Sequence, residues 1–453
     1  MQMKRMNFIF PALFFTFFSG IGTISAETSC PGIREKTCKD GKNMKIVVMS
    51  DIHVMAPELL KKEGKAYSEY IAGDRKLLKE SSAILEAAVA EILKQKPDAV
   101  LVTGDLTKDG EYVSHELVSG KLLRPLAANG IRTFVIPGNH DINNPHAAEY
   151  DGDTSRRVRT VTPEEFAAFY GDYGYGEALA RDTASLSYVA QLDGNVRLLA
   201  VDACRYEDND FAKNESVVGG RIKDATMDFI ISQARKAEQD GCRMLTMIHH
   251  GIVRHWKWED KAMADYLVAD WKKCRRIFSE NGLNVVFSGH FHAQDISVYG
   301  KGKSAVYDIE TGSTVSYPLP VRNIVLDGDS MAITTWHISP LMKDSSLDDK
   351  AVHYAREAIA SIVRGLTDGA LPHDIVEEAA AVAGDAYVAH IRGDESMTED
   401  DMKKLKATVR KVRKHSFKYA FILDHIVRYL HTDQDNTGDN DCIISPGRAD
   451  RSR

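Results

Sequence analysis

The sequence contains no Cys-x-x-Cys pair, and its 6 cysteines are scattered among 453 residues. A zinc site built on thiolates is therefore disfavoured. Basic residues are also short: 58 Lys and Arg stand against 65 Asp and Glu, a formal charge of −7, which argues against a long nucleic-acid partner. There is no internal repeat and no low-complexity tract, and 43% apolar with 27% charged residues is an ordinary globular composition. Disordered, collagen-like and multi-span membrane classes are excluded. The one long apolar run extends from Asn7 to about Ile24. Lys4 and Arg5 precede it, Pro11, Ser19, Gly20 and Gly22 interrupt it, and small Ser25 and Ala26 end it, the pattern of a signal peptide over residues 1–26. A retained anchor is the competing reading. Cleavage predicts an exported protein (periplasmic, extracellular or at the cell surface) with no stable membrane span. Export would permit disulfides. Cys30 and Cys38 are close enough for a local staple, whereas Cys204, Cys242 and Cys274 read as buried free thiols.

After a leader over 27–43, short apolar runs alternate with helix-length stretches, the sign of layered α/β architecture. Strands are expected at 44–50, 99–103, 132–136, 196–202, 244–249 and 284–288, then at 305–309, 323–326 and 331–337 as part of a second sheet. An amphipathic helix is expected over 75–95. The main unit spans 44–340. Strand patterns stop near Pro340, and helices at 348–366, 373–391, 398–412 and 417–430 predict a helical C-terminal domain over 341–431. Residues 432–453, poor in apolar groups, read as a flexible tail.

Polar residues gather where the early strands end, the place where open α/β sheets put their sites. The first strand runs into Asp51 and His53, the second into Gly104-Asp105, and the third into Gly138-Asn139-His140-Asp141. Later strands run into His249-His250-Gly251 and Gly289-His290-Phe291-His292. Asp51, His53, Asp105, Asn139, His249, His290 and His292 offer more donors than one ion needs, so two ions are expected, with a carboxylate able to bridge them. Such pairs serve displacement at phosphorus, and phosphoester hydrolysis is the chemistry inferred. Any one of these residues alone reads as a turn former or a satisfied core group; their conjunction points to a metal site.

In this order D-x-H, GD, GNHD, H and GHxH resemble the calcineurin-like metallophosphoesterase superfamily, over roughly residues 44–337. The resemblance implies an α/β fold of two mixed sheets in a sandwich flanked by helices, four layers in all, and replaces a simple doubly wound reading. It implies that Asp51, His53 and His292 hold one metal, that Asn139, His249 and His290 hold the other, and that Asp105 bridges. His249 is favoured over His250 by position. His140 would face substrate instead of metal, stabilising phosphate or protonating the leaving oxygen, with Asp141 as its orienting partner. Iron, manganese, zinc or cobalt would suit the donors. GDLTKDGE lacks the VDRG stretch of the family's protein phosphatases, and Lys108 stands where purple acid phosphatases carry a ligating tyrosine. GDLT with GNHDINNP and trailing helices is similar to secreted cyclic nucleotide phosphodiesterases. The expected function is thus a dimetal phosphodiesterase that attacks a small phosphoester, a nucleotide, with a metal-bridging hydroxide. A broad phosphomonoesterase or nucleotidase is the alternative, and a non-catalytic secreted binding protein a minor one. Asn139 and His146 could touch substrate, and Trp256 or Trp258 could stack on a base, although loop packing is the plainer reading for the tryptophans.

Overall fold

The computed structural model describes residues 43–72, 74–434 and 438–446. The expected signal peptide, Cys30 and Cys38 lie outside them. Two large mixed sheets carry the main unit. The first has six strands in the order Cys442–Ile444, Ser330–His337, Pro320–Asp327, Met44–Met49, Ala99–Val102 and Arg132–Val135. The last three run parallel, and Pro320–Asp327 turns antiparallel to Met44–Met49. The second has seven strands, in the order Asp295–Tyr299, Val306–Glu310, Val285–Ser288, Arg243–Ile248, Val196–Val201, Tyr188–Asp193 and Ala180–Arg181.

The sheets pack face to face because their strands are apolar on both sides. Along Val196–Val201, Leu198 and Ala200 enter the core shared with Ile46 and Val48, while Leu199 and Val201 enter another with Ile230 and Phe278. The period of two turns alternate side chains to opposite faces, so one strand serves two cores. Ile230 and Phe278 come from helices Asp224–Gln239 and Trp271–Glu280, which cover the outer face of the second sheet. On the other side, helix Ser81–Gln95 buries Ile84, Leu85, Ala88 and Ile92 in the first core. Helix, sheet, sheet and helix form the expected four layers. A small third sheet, Leu60–Lys62, Ala148–Asp151 and Thr154–Arg157, lies apart.

Beyond Pro340, helices Leu347–Thr367, His373–Arg392, Glu399–Arg413 and Phe417–Leu430 form the C-terminal unit. Its core takes in Trp256, Phe291 and Ala293 from the main unit. Trp258 stacks on His425 with ring centroids 5.4 Å apart. Both tryptophans therefore pack the seam between the units. Among the described residues no helix is long and apolar enough to cross a membrane.

The structure departs from the sequence reading in several places. Of the strands expected to build a second sheet, Val306–Glu310 joins the seven-stranded sheet, but Pro320–Asp327 and Ser330–His337 pair antiparallel beside Met44–Met49 in the six-stranded one. The helix expected over 75–95 starts only at Ser81; Leu77 N instead donates to Val315 O at 2.7 Å, drawing the preceding residues toward the sheet ends. The segment read as a flexible tail supplies the edge strand Cys442–Ile444, paired with Ser330–His337. Asp439 is buried and accepts from Ile296 N at 2.9 Å and Asp394 N at 2.8 Å. Polar side chains here satisfy backbone groups at the seam, which apolar periodicity does not register.

Candidate metal centre

The Met44–Met49 strand ends in a backbone that alternates into the left-handed region, at Asp51 (φ 51°) and His53 (φ 35°). The loop after Val285–Ser288 does the same at His290 (φ 75°) and His292 (φ 69°), and Asp105 follows with φ 50°. Non-glycine residues rarely adopt this conformation, and each costs of order 1–3 kcal/mol unless its surroundings hold it. Here main-chain bonds hold it: Asp51 N donates to Gly104 O at 3.1 Å, His53 N to Asp105 O at 2.9 Å, and Gly289 N to His249 O at 3.0 Å. His290 N also donates to Asp51 Oδ2 at 2.9 Å, joining the two strained loops.

Three adjoining donor groups result: Asp51, His53 and His292; His53, Asp105 and His140; and Asp105, His249 and His290, each with donor atoms within 4.8 Å of one another. Asp105 belongs to the last two. Its Oδ2 is 3.5 Å from His53 Nε2 and 3.4 Å from His249 Nε2. Asn139 Oδ1 lies 3.2 Å from His249 Nε2. His249 Nδ1 reaches Thr103 O at 2.8 Å; as a donor there it leaves Nε2 with a free lone pair. His250 turns away, its Nε2 on Val218 O at 2.9 Å.

Burial disfavours charge on Asp105, but His249, His140 and His53 outweigh it and hold the carboxyl well below its usual range. Asp51 is likewise lowered, burial being outweighed chiefly by His292. Burial pushes His53 and His290 well down and His292 to about 4. Burial disfavours charge on His249 too, but Asp105 outweighs it and raises that imidazole to about 9. The donors are thus ionised carboxylates beside three neutral imidazoles and a fourth, His249, that gives up its proton to bind a cation. Two details fit a metal. Buried Asp51 Oδ1 faces imidazole nitrogens, His292 Nε2 at 3.2 Å and His53 Nε2 at 3.8 Å, and those two nitrogens stand 3.2 Å from each other. Such an arrangement lacks satisfaction without a cation near it. No thiolate competes, since burial raises the Cys204 thiol, which donates to Pro137 O at 3.3 Å.

Two glycines allow this crowding. A Cβ on Gly138 would lie 2.0 Å from Asp105 Oδ1, and one on Gly289 would lie 1.9 Å from Ser50 Oγ and 2.5 Å from Asp51 Oδ2. Ser50 Oγ donates to that same Asp51 oxygen. Gly289→Ala is expected to weaken metal binding by about 10–100-fold, as loss of a ligand's supporting partner does, measured by titrating the metal-free chain. Unchanged affinity would show that the loop yields without moving Asp51.

His140 stands at the rim, its side chain 15% exposed and its Nε2 3.9 Å from Asp105 Oδ2. Its Nδ1 lies 2.7 Å from Lys108 O and 2.9 Å from Asp109 Oδ1. Asp109, not Asp141, is therefore its carboxylate partner. Asp141 points away from the ring: Leu106 N and Gly138 N donate to its Oδ2 at 3.0 and 2.8 Å, and Thr107 N to its Oδ1 at 2.9 Å. It clamps the GDLT and GNHD loops together. Lys108 is fully buried and pairs with Asp109 Oδ2 and Glu111 Oε1, both at 2.7 Å, while Tyr70 OH donates to Asp109 at 2.7 Å. His146, expected to approach substrate, instead has Nε2 on Asn214 O at 3.0 Å and Nδ1 3.3 Å from Ser216 Oγ.

Sequence reasoning missed Asp109, Arg75, Lys76 and Tyr387. Arg75 Nε lies 3.3 Å from His292 Nδ1, which can instead donate to Ser316 Oγ at 3.2 Å and so leave Nε2 its lone pair, and Arg75 Nη1 donates to Tyr387 OH on the helical unit. Lys76 is buried, and its charge bears on His53, His140 and His292. The acidic residue four beyond Asp105 was visible as a signal; the cations were hidden inside an apparent helix.

Residues 44–294, more than half of the chain, match the family described as calcineurin-like phosphoesterase. The match contains every residue of the three donor groups. Among solved structures, the chain is similar to a dimetal phosphatase from Danio rerio at 13% identity and TM-score 0.45, covering 65% of this chain and 96% of that one. It is also similar to a conserved uncharacterized protein, a predicted phosphoesterase, from Streptococcus pneumoniae, at 15% identity and TM-score 0.26, covering 66% and 91%. No protein with a curated description matches it in sequence.

Proposed function

Because the chain belongs to the calcineurin-like phosphoesterase family, and is accordingly a metal-dependent phosphoester hydrolase, we propose that it is a phosphodiesterase acting on cyclic nucleotides. Asp51, His53 and His292 would hold one ion, Asn139, His249 and His290 the other, with Asp105 shared between them. Two bound ions would activate water and neutralise charge developing on the phosphoryl oxygens. His140 keeps Nε2 toward the centre and delivers a proton from that atom to the departing oxygen, while Asp109 and the Lys108 carbonyl fix its ring through Nδ1. Arg75 and Lys76 attract the anionic substrate.

The observation that carries this reading is Asp105 Oδ2 standing between His53 and His249 with His140 beside it. The cyclic nucleotide preference draws support from the likeness of GDLT and GNHDINNP to exported phosphodiesterases with helical C-terminal domains. A second reading, hydrolysis of phosphomonoesters, is favoured by Arg75 and Lys76, since two cations suit a dianion. The test compares 2′,3′-cAMP, 3′,5′-cAMP, bis(p-nitrophenyl) phosphate and p-nitrophenyl phosphate with the metal-loaded enzyme. A kcat/KM about tenfold or more higher for a cyclic nucleotide than for the monoester is expected; the reverse order replaces the first reading with the second. Export follows as part of the proposal from the first 26 residues, and recovery of the full-length chain in the cytoplasmic fraction of the native cell would sink it.

A further inference from the structure

Where the second sheet meets the C-terminal helices, a further set of buried titratable groups takes no part in the centre described above. Asp295 opens the strand Asp295–Tyr299, His390 lies near the end of helix His373–Arg392, and Glu395 lies in the loop beyond it. One donor atom from each lies within 4.8 Å of the others. The three residues are 4%, 0% and 6% exposed.

Two independent features single out this cluster. First, His390 Nε2 and Glu395 Oε2 are buried without a hydrogen-bond partner. The pair is joined only through His390 Nδ1 and Glu395 Oε1, at 2.9 Å. Orphaned atoms on two side chains of one buried cluster are the exception in folded proteins and point to an ion or water between them. Second, buried carboxyl groups outnumber buried basic groups in the surrounding seam. Glu259, Asp308, Glu310 and Asp439 are buried beside the cluster together with His255 and Arg322. Arg322 directs its guanidinium at backbone, with Nε and Nη2 donating to Glu310 O and Nη1 to Asp439 O. It therefore pairs with carbonyls instead of carboxylates.

We propose that Asp295, His390 and Glu395 hold a divalent transition-metal ion, a third site that fastens the C-terminal helices to the main unit. One imidazole and two carboxylates form a nitrogen and oxygen donor set suited to zinc, manganese or iron. With metal–donor bonds of roughly 2.0–2.2 Å, opposite ligands stand about 4 Å apart, so small side-chain movements close the observed cluster. His255 Nδ1, 2.7 Å from Asp295 Oδ1, supplies the outer hydrogen bond that orients a ligating carboxylate. The position matters for the hydrolytic centre as well. Phe291, between His290 and His292, has its ring centroid 5.6 Å from that of His390. An ion on His390 would stiffen the wall behind the ligand loop.

The full chain, stripped of metal and reloaded with zinc or manganese, tests this by counting ions per chain. Wild type is expected to bind one ion more than His390→Gln and one more than the nearly isosteric Glu395→Gln. Asp105→Ala, damaged at the hydrolytic centre, should still gain about 5 °C or more in Tm when metal is added at a hundredfold excess over Kd. Adding Glu395→Gln in that background should abolish the gain. Equal ion counts in wild type and both variants, or a metal-induced Tm gain that survives Glu395→Gln, would overturn the third site and leave His390 and Glu395 as a buried ion pair. A failure of phosphoester turnover would leave these readouts unaffected.

Discussion

Asp105→Ala is expected to lower kcat by about 10³–10⁴-fold on every phosphoester, since the electrostatic stabilisation of which it is the hub is worth several kcal/mol in the transition state. Asp105 does three things at once. Its Oδ2 stands 3.5 Å from His53 Nε2 and 3.4 Å from His249 Nε2, its Oδ1 accepts from His140 N at 2.9 Å, and its carbonyl accepts from His53 N. The mutation leaves the carbonyl in place, so the fold should survive while the two donor groups lose their common member. Metal content should fall along with kcat, which elemental analysis of the purified variant would reveal. Turnover within about tenfold of wild type would mean that the ions do not depend on a bridging carboxylate.

His140→Ala should lower kcat by about 10²–10⁴-fold, the usual worth of a positioned acid or base. The loss should depend on the leaving group. p-Nitrophenolate departs readily without a proton, whereas the ribose alkoxide of a cyclic nucleotide does not, so the variant should lose far more activity on the nucleotide. An equal loss on both would reassign His140 to phosphate binding. Asp109→Asn should reproduce the same leaving-group pattern at smaller amplitude, because it loosens the His140 ring without removing it. Substitution at Asp141 should act differently. That carboxyl receives three main-chain donors and the Thr107 hydroxyl, so its loss would lower stability and show no dependence on the leaving group.

The candidate metal donors were legible because each sits just past a strand that apolar runs locate well. The strands Met44–Met49, Ala99–Val102 and Val285–Ser288 begin and end within a residue or so of expectation. What failed were inferences from adjacency. Asp141 follows His140 directly, yet neighbouring side chains diverge, and the carboxylate that meets the ring comes from the other loop, 31 residues earlier. Arg75 and Lys76 extended a helical pattern whose apolar residues Leu77 and Leu78 are buried by tertiary contact instead. Thr154–Arg157 is exposed at every position and so offers no alternation to read. Tyr387 belongs to an ordinary helix, and only the packing of that helix brings its hydroxyl to Arg75.

The pairing of Cys442–Ile444 with Ser330–His337 also bears on how the chain tolerates shortening. Ser330–His337 is bonded on one side to Pro320–Asp327 and on the other to Cys442–Ile444. A chain cut after Leu430 would bare a row of main-chain donors and acceptors, a surface that recruits strands from other molecules. Trimming the apparent tail to obtain a tidier protein would thus favour aggregation.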